Sequence, residues 1–544
     1  MPATPNPLID IRPDHWAIVH DILQKHVPQY EVWAFGSRAK WTTKEYSDLD
    51  LAVITDKPLS LSVSAALSDD LSESDLPWKV DIVDWATTSE SFRKIIERDK
   101  VVVQKAKTGR AMAGEWRRKT LDQLGRIITG KTPPSSHSNA FGGAIPFVTP
   151  SDMDGRRTIK HTARTLTESG AATVRGACVP ANAVMVSCIG SDMGKAAIAG
   201  SECVTNQQIN SIVIETGDSP VYVYYDLSAR KAEIRGAASG SAQPILNKSA
   251  FGRFGIELPP PDEQRAVAHI LGTLDDKIEL NRRMNETLEA IARAIFKSWF
   301  VDFDPVRAKA SGEPPDSICR RLGLTPDLLA LFPDRLVDSE LGEIPEGWEV
   351  KSLDGIADYL NGLALQKFPP ENDSEWLPVI KISQLKKGDS IGADRASHKL
   401  KREYIVDDGD VLFSWSGSLE VDIWCGGRGA LNQHLFKVTS ANYPKWFYFF
   451  WTKHHLPHFQ AIAAGKAVTM GHIQRKHLTE ALCAVPQKPI LERLDSIMAP
   501  LLDKQIENRK ASSTLALVRD ALLPKLLSGE LRVPEIESSL EAMT

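Results

Sequence analysis

From about residue 115 to residue 535 the chain states one pattern twice. Residues 115–130 read EWRRKTLDQLGRIITG, and residues 347–362 read GWEVKSLDGIADYLNG. Trp116 falls on Trp348, Leu121 on Leu353, Asp122 on Asp354 and Gly130 on Gly362, an offset of 232 (362 − 130). Ile145-Pro146 falls on Leu377-Pro378 at the same offset. Further along the offset shortens to 227 (508 − 281): Leu258-Pro259 meets Val485-Pro486, Asp276-Lys277 meets Asp503-Lys504, and Asn281-Arg282 meets Asn508-Arg509. Solenoid units repeat every 20–50 residues or so, so this period is too long for one. It describes two copies of a whole domain, each followed by a connecting helix. Such a chain can present two similar surfaces in a roughly two-fold arrangement, which suits a partner with two similar halves.

A length of 544 residues implies several domains, each burying its own core. No apolar run approaches the roughly 18–20 residues of a membrane span. The opening MPATPNPLIDIRPDHW lacks the basic start and apolar stretch of a signal peptide. Six cysteines (Cys178, Cys188, Cys203, Cys319, Cys425, Cys483) stand without CxxC pairs, which points to reduced thiols in a cytoplasmic protein and away from zinc. A net charge of −5 does not by itself suggest nucleic acid, so DNA binding must rest on local basic patches or on partner subunits.

Residues 1–107 form one compositional unit. Val32-Trp33-Ala34-Phe35 reads as a buried strand before the turn Gly36-Ser37-Arg38. Leu49–Ile54 reads as a second strand with alternating carboxylates, and Val80–Val83 as a third bearing Asp81. Residues 14–26 and 59–71 have helical spacing, and the basic stretch 105–118 reads as a linker. Residues 112–257 carry short β-like runs between Gly, Ser and Thr loops, an irregular α/β or β-rich domain that residues 344–484 repeat. Between the copies, 258–343 opens on Pro259-Pro260-Pro261 with Asp262-Glu263, which suits a helix start. A 3-4 stripe of Leu271, Leu274, Ile278, Leu288 and Ile295 follows, and it includes Asn281 and Asn285. Residues 485–544 repeat that helix with Met498, Leu501, Leu515, Leu522 and Leu526. The two stripes should pack on each other as an antiparallel pair, since a folded domain separates them. The sequence leaves open whether the aligned asparagines set register or face solvent.

The order domain, helix, domain, helix resembles the specificity subunit of type I restriction–modification systems. The residues that carry the resemblance are W-x4-L-D (Trp116/Leu121/Asp122, Trp348/Leu353/Asp354), G-K-T-P-P at 130–134 and I-P-F-V-T-P-S-D-M at 145–153. Thr205-Asn206-Gln207-Gln208-Ile209 and Leu431-Asn432-Gln433-His434-Leu435 recur late in each domain, and the helices carry LPPPDEQ at 258–264, LDDKIELNRR at 274–283 and LLPKLLSGEL at 522–531. The resemblance implies an α/β multidomain fold, with two target-recognition domains (112–257 and 344–484) and two spacer helices forming an antiparallel coiled coil. It implies a subunit, itself non-catalytic, that reads one half of a bipartite double-stranded DNA target with each domain and docks two methyltransferase subunits. Those partners bind S-adenosylmethionine, so the specificity half needs no cofactor of its own; motor–nuclease subunits join in some complexes, and defence against phage is the expected role. The chain has no glycine-rich cofactor loop, Asn-Pro-Pro-Tyr motif or Walker loop. Base and phosphate reading calls for amide, hydroxyl and cationic side chains. Candidates in the first domain are Lys131, Thr132, Ser151, Asp152, Ser191, Lys195, Asn206 and Gln207; in the second they are Lys381, Gln384, Ser416, Asn432 and Gln433. The Asn-Gln pairs are equally the residues that tie a loop to its own backbone. His454-His455 and His458 have no carboxylate or cysteine at ligand spacing and read as surface histidines.

At the N-terminus, Gly36-Ser37-Arg38, Ser47-Asp48-Leu49-Asp50 and Val80-Asp81-Ile82-Val83-Asp84 resemble the nucleotidyltransferase superfamily, particularly its minimal members. Asp48 and Asp50, two apart on a strand, project from one face and can both reach a divalent metal, and Asp81 on the adjacent strand completes the cluster. Mg²⁺ held there would bridge triphosphate oxygens and activate an acceptor hydroxyl. The turn, with Gly36, Ser37 and Arg38 as nucleotide-binding residues, lets backbone N–H groups and a hydroxyl approach phosphate. Trp41 stands where the minimal family carries glycine. Three functional classes follow: a DNA-specificity subunit, a nucleotidyltransferase delivered to DNA by the duplicated half, and an isolated bivalent DNA-binding protein.

Overall fold

A computed structural model describes residues 9–28, 30–43, 47–55, 58–59, 61–105, 116–238, 245–465 and 471–532. It divides into two compact units, Met1–Asp152 with Lys160–Val267, and Met153–Ile159 with Ala268–Thr544. No helix among the described residues is long and apolar enough to cross a membrane.

The N-terminal domain is built on a four-stranded sheet in the order Val80–Asp84, Leu49–Ile54, Glu31–Phe35, Val101–Gln104, with only the first pair parallel. Alternation along the strands sorts its two faces. Val32, Ala34, Leu49, Leu51 and Val53 pack with Trp16, Val19 and Leu23 of helix Pro13–His26 and with Leu67 and Leu71 of helix Leu61–Ser72. On the other face Trp33, Phe35 and Ala52 pack with Ile96 of helix Glu90–Asp99. This last helix and the edge strand that follows it have no counterpart in the sequence reading.

The two later domains share the order of four strands in each of two sheets. One sheet runs Gly125–Thr129, Ile209–Ile214, Val184–Ser187, Ala196–Ala199 in the first copy and Asp358–Asn361, Leu435–Thr439, Val411–Ser414, Val421–Ile423 in the second. The other runs Cys178–Val179, Cys203–Thr205, Phe141–Val148, Thr165–Leu166, matched by Ile405–Val406, Gly429–Leu431, Trp376–Ile380, Arg395–Ser397. In each copy the two central strands of this second sheet are parallel. Each copy is closed by its first and last strands, Arg117–Thr120 on Gly255–Leu258 and Glu349–Ser352 on Leu482–Val485. The stretch 105–118, read from sequence as a linker, therefore ends inside a strand; 106–115 lies outside the described residues. Charge does not prevent a strand here, because Arg117 and Lys119, two apart on one face, both reach the buried Asp218 carboxylate at 2.5 and 3.3 Å.

The spacer helices are Pro261–Phe296, 36 residues, and Lys488–Leu527, 40 residues. They run antiparallel, because partners descend along the second as they ascend along the first: Asp275 meets Arg519 at 2.7 Å, Asn281 meets Ser512 at 3.2 Å, and Asn285 meets Gln505 at 3.1 Å. Asn281 and Asn508 are buried between them, which settles the open question about the asparagines in favour of the interface. The Asn508 amide donates to Asn285 Oδ1 at 2.9 Å, and Asn281 donates to Ser512 Oγ. These two bonds exchange under the repeat, since 281 + 227 = 508 and 285 + 227 = 512. The pair thus has a local pseudo-two-fold axis.

Candidate nucleotide and DNA sites

The parallel pairing of Leu49–Ile54 with Val80–Asp84 sets Asp50 directly beside Asp81. Asp48 lies one residue before that strand begins, close enough for its charge to act on Asp50. The three carboxylates feel one another: burial first, then the charges of Asp81 and Asp48, raise the pKa of Asp50 above the ordinary carboxylate value. A divalent cation would relieve that repulsion. Their oxygens do not converge to ligand distances in this structure, and the Lys79 ammonium is paired with Asp81. The turn before them fits a close approach. Gly36 has φ +75°, and a Cβ there would lie 2.2 Å from Asp50 Oδ2, so no other residue fits the position unchanged. The residues present therefore suit a metal-bound nucleotide.

Arg38 has a different place from the one the sequence suggested. It is buried, with its guanidinium donating to Ser47 O at 3.0 and 2.7 Å and to Asp10 O at 2.8 Å, and it stacks 4.0 Å from the Trp78 ring. It ties the loop that delivers Asp48 to the segment at Asp10. Trp41 adopts φ +56° and is 64% exposed. This is a left-handed position where glycine would be unstrained, which gives the physical meaning of the glycine usual there.

In the first recognition domain the parallel strands Phe141–Val148 and Cys203–Thr205 end together, and the Asn206 N–H donates to Val148 O at 3.0 Å. Lys131 N–H donates to Thr205 O at 2.8 Å, and Thr132 Oγ1 donates to Gln207 Oε1 at 2.7 Å, so 131, 132, 206 and 207 form one group. A second adjoins it: Lys195 Nζ reaches Pro150 O at 3.2 Å and Asp192 at 2.9 Å, near the exposed Ser151. Ser191, also exposed, offers its carbonyl to Arg235. Asp152 and Asn206 both bond to nearby backbone, and Asn206 Nδ2 also donates to Gln208 Oε1 at 2.9 Å. Asp152 accepts from Thr149 N–H at 2.8 Å and Ala163 N–H at 2.9 Å, and Asn206 accepts from Gln208 N–H at 3.1 Å.

The second copy repeats this division. Asn432 N–H donates to Ile380 O at 3.3 Å, and Asn432 Oδ1 accepts from His434 N–H at 3.3 Å, as Asn206 does in its copy. Gln384, the counterpart of Asp152 (384 − 232 = 152), caps the turn through Lys381 N–H at 3.4 Å and Ser383 Oγ at 2.8 Å. Lys381 pairs with Asp394. Ser416, a candidate DNA contact from sequence, is hydrogen-bonded to His434 Nδ1 at 2.8 Å, and Gln433 Nε2 lies 3.3 Å from His434 Nε2. His434 went unremarked because its partner is 18 residues away in sequence; the signal that could have found it is its place beside Asn432-Gln433 in a repeated motif.

The sequence reading of His454, His455 and His458 as surface residues holds for the first and last, which are exposed. His455 is half-buried, stacked 5.9 Å from Trp451, and its Nε2–H donates to Leu482 O at 3.0 Å. Among the described residues no group of His, Cys, Asp or Glu is arranged to hold a metal ion as it stands.

Comparison with known proteins agrees with this division. The family model "Type I restriction modification DNA specificity domain" matches residues 113–290 and 345–510, and "Polymerase beta, Nucleotidyltransferase" matches 19–108. The MjaIX specificity subunit of the type I restriction enzyme of Methanocaldococcus jannaschii is 27% identical over 435 residues, covering 78% of this chain and 95% of that protein. The probable protein adenylyltransferase MntA of Haemophilus influenzae is 56% identical over 96 residues, covering 18% of this chain and 84% of that protein. The solved type I S subunit of M. genitalium covers 76% of this chain and 96% of its own at 15% identity, with a TM-score of 0.46. With both duplicated segments matched by one family model, the chain belongs to the type I restriction–modification DNA specificity family, and it carries at its N-terminus a domain of the polymerase beta nucleotidyltransferase family.

Proposed function

We propose that this chain is the DNA-specificity subunit of a type I restriction–modification complex. Each duplicated domain reads one half of a bipartite duplex target, and the helical pair sets the gap between the halves. Two methyltransferase subunits dock on the chain and supply S-adenosylmethionine chemistry in the cytoplasm, with motor–nuclease subunits as further partners. The observation that supports this most is the duplication, which extends from strand order to individual backbone hydrogen bonds. Of the candidate side chains, Lys131, Thr132, Ser151, Ser191, Lys195, Gln207, Lys381, Ser416 and Gln433 are the DNA-contacting set. Asp152, Asn206, Gln384 and Asn432 shape the loops that carry them. Co-expression with the methyltransferase encoded beside it should yield a stable complex with two methyltransferases per chain, read by native mass spectrometry. A chain that purifies alone would refute the subunit reading.

The N-terminal domain supports a second activity through its like-charged cluster. Asp48, Asp50 and Asp81 would hold Mg²⁺, which supplies charge neutralisation on a nucleoside triphosphate. Gly36 lets the Asp50 carboxylate pack directly against the turn, and Ser37 offers a hydroxyl and a backbone N–H. Arg38 holds the Asp48 loop in place. Mg²⁺-dependent nucleotide binding, measured by calorimetry, should vanish in Asp48→Ala/Asp50→Ala; equal binding by the variant would refute this reading.

A further inference from the structure

Because the chain carries two copies of one scaffold, it contains its own control. What both copies keep holds the fold, and what differs at an equivalent position is free to differ in ligand. At one edge of each domain the backbone bonds are the same. Cys188 N–H donates to Gln208 O at 2.7 Å, as Trp415 N–H does to His434 O at 3.3 Å. Leu246 N–H donates to Cys188 O at 2.9 Å, as Ile473 N–H does to Trp415 O at 3.0 Å. Ile189 bridges Ile245, as Ser416 bridges His472. Gly130 and Gly362 stand at matching close approaches, where a Cβ would meet the carbonyl oxygen of Asn206 or Asn432 at 2.0 or 2.3 Å.

The side chains on that shared backbone diverge as a group. Cys188, Ile189, Gln208 and Ile245 in the first copy become Trp415, Ser416, His434 and His472 in the second, and Thr129 becomes Asn361. In the first copy the Gln208 amide is turned back onto Asn206 at 2.9 Å, and Cys188 is buried. In the second copy the residues form one connected cluster. Trp415 Nε1–H donates to exposed Asn361 at 2.9 Å, and the Trp415 ring lies 6.1 Å from His434 and 6.4 Å from His472. His434 in turn joins Ser416 and Gln433. Across this set a thiol, two isoleucines and a glutamine give way to an indole, a hydroxyl and two imidazoles on an unchanged backbone. The indole packs 5.9 Å from Phe436, but the backbone bonds of the first copy form without the two imidazoles. The exchange adds ring N–H groups and flat faces at a domain edge, the kind of polar surface that distinguishes base edges in a groove.

We infer that Trp415, His434 and His472, together with Gln433, determine which base pairs the second recognition domain accepts in its half of the duplex target. This rests on the DNA-specificity reading above. The test uses the full complex with its methyltransferase and maps adenine methylation for the wild type, His434→Gln and His472→Ile. Each variant installs the residue that the first copy carries on the same backbone. Trp415→Phe, which keeps an aromatic ring but removes the indole N–H together with its five-membered ring, covers the case in which either of the others fails to fold. The expected result is a split motif for the wild type and, in the variants, a change of preference of about tenfold at one or two positions of one half-site. The other half-site and the gap should be unchanged. Variants that mark the wild-type motif unaltered, or that weaken both half-sites together, overturn the inference. If a variant marks nothing, binding to duplexes altered in one half-site at a time decides: weakening confined to one half supports the inference, and equal weakening overturns it. A wild-type complex that marks no split motif overturns the specificity reading, and this inference with it.

Discussion

Among single residues, His455 gives the clearest pH signature. Burial chiefly, with His454 close by, lowers its imidazole from about 6.5 to about 4, although the bond to Leu482 O opposes the shift. The folded state therefore binds the proton less tightly than the unfolded state. Stability from this group is complete above pH 6.5 or so and is lost as pH falls toward 4. Unfolding monitored by near-UV signal should show stability rising with pH across that window, and His455→Phe should flatten the rise; an unchanged slope would contradict the assignment. The same scale shows what a sequence can and cannot tell. Asp48, Asp50 and Asp81 were legible because two of them stand two residues apart, and the pairing of Asp50 with Asp81 follows from adjacent strands. The role of Arg38 was not, since its partners Asp10 and Trp78 lie 28 and 40 residues away (38 − 10, 78 − 38) and meet it only through the fold. Asp152 and Gln384 stand in the sequence as polar residues, and only the fold shows their bonds to nearby backbone.

At the level of elements, the helical pair was the easiest to foresee and its interior the hardest. A 3-4 apolar stripe repeated at a fixed offset announces two packed helices, and their direction follows from the domain between them. Whether Asn281 and Asn508 face in or out does not follow, because a single polar residue in a stripe is compatible with either. Their burial makes a specific demand. Removing the Asn508 amide takes its hydrogen bond from the half-buried Asn285 Oδ1, at a cost of about 1 kcal/mol. Chemical denaturation should find Asn508→Ala destabilised by that order, and a variant as stable as wild type would show that the polar contact contributes nothing. Such buried asparagines fix register at some expense of stability. The strand Arg117–Thr120 was missed for a related reason, since its charges suggested solvent while the buried Asp218 that receives them lies about a hundred residues on.

For the whole molecule, two modules share one chain, and their chemistry is separable. Under the proposed function nucleotide binding rests on the N-terminal carboxylates, and target choice on the duplicated half. The duplication was fully legible because both copies survive in one sequence, so the chain served as its own alignment. Which bases are read was not legible, because side-chain clusters such as the one around His434, inferred above to read bases, form only after folding. If the helices set the gap between half-sites, length added to one of them must change that gap and nothing else. The measurement to make is long-read mapping of adenine methylation in cells that express this chain with its methyltransferase, beside a variant with four residues inserted next to Leu280. The expected result is a split motif with a fixed gap for the wild type, and the same two half-sites with a different gap for the variant. A contiguous motif, no motif, or an unchanged gap after the insertion would contradict the two-domain ruler.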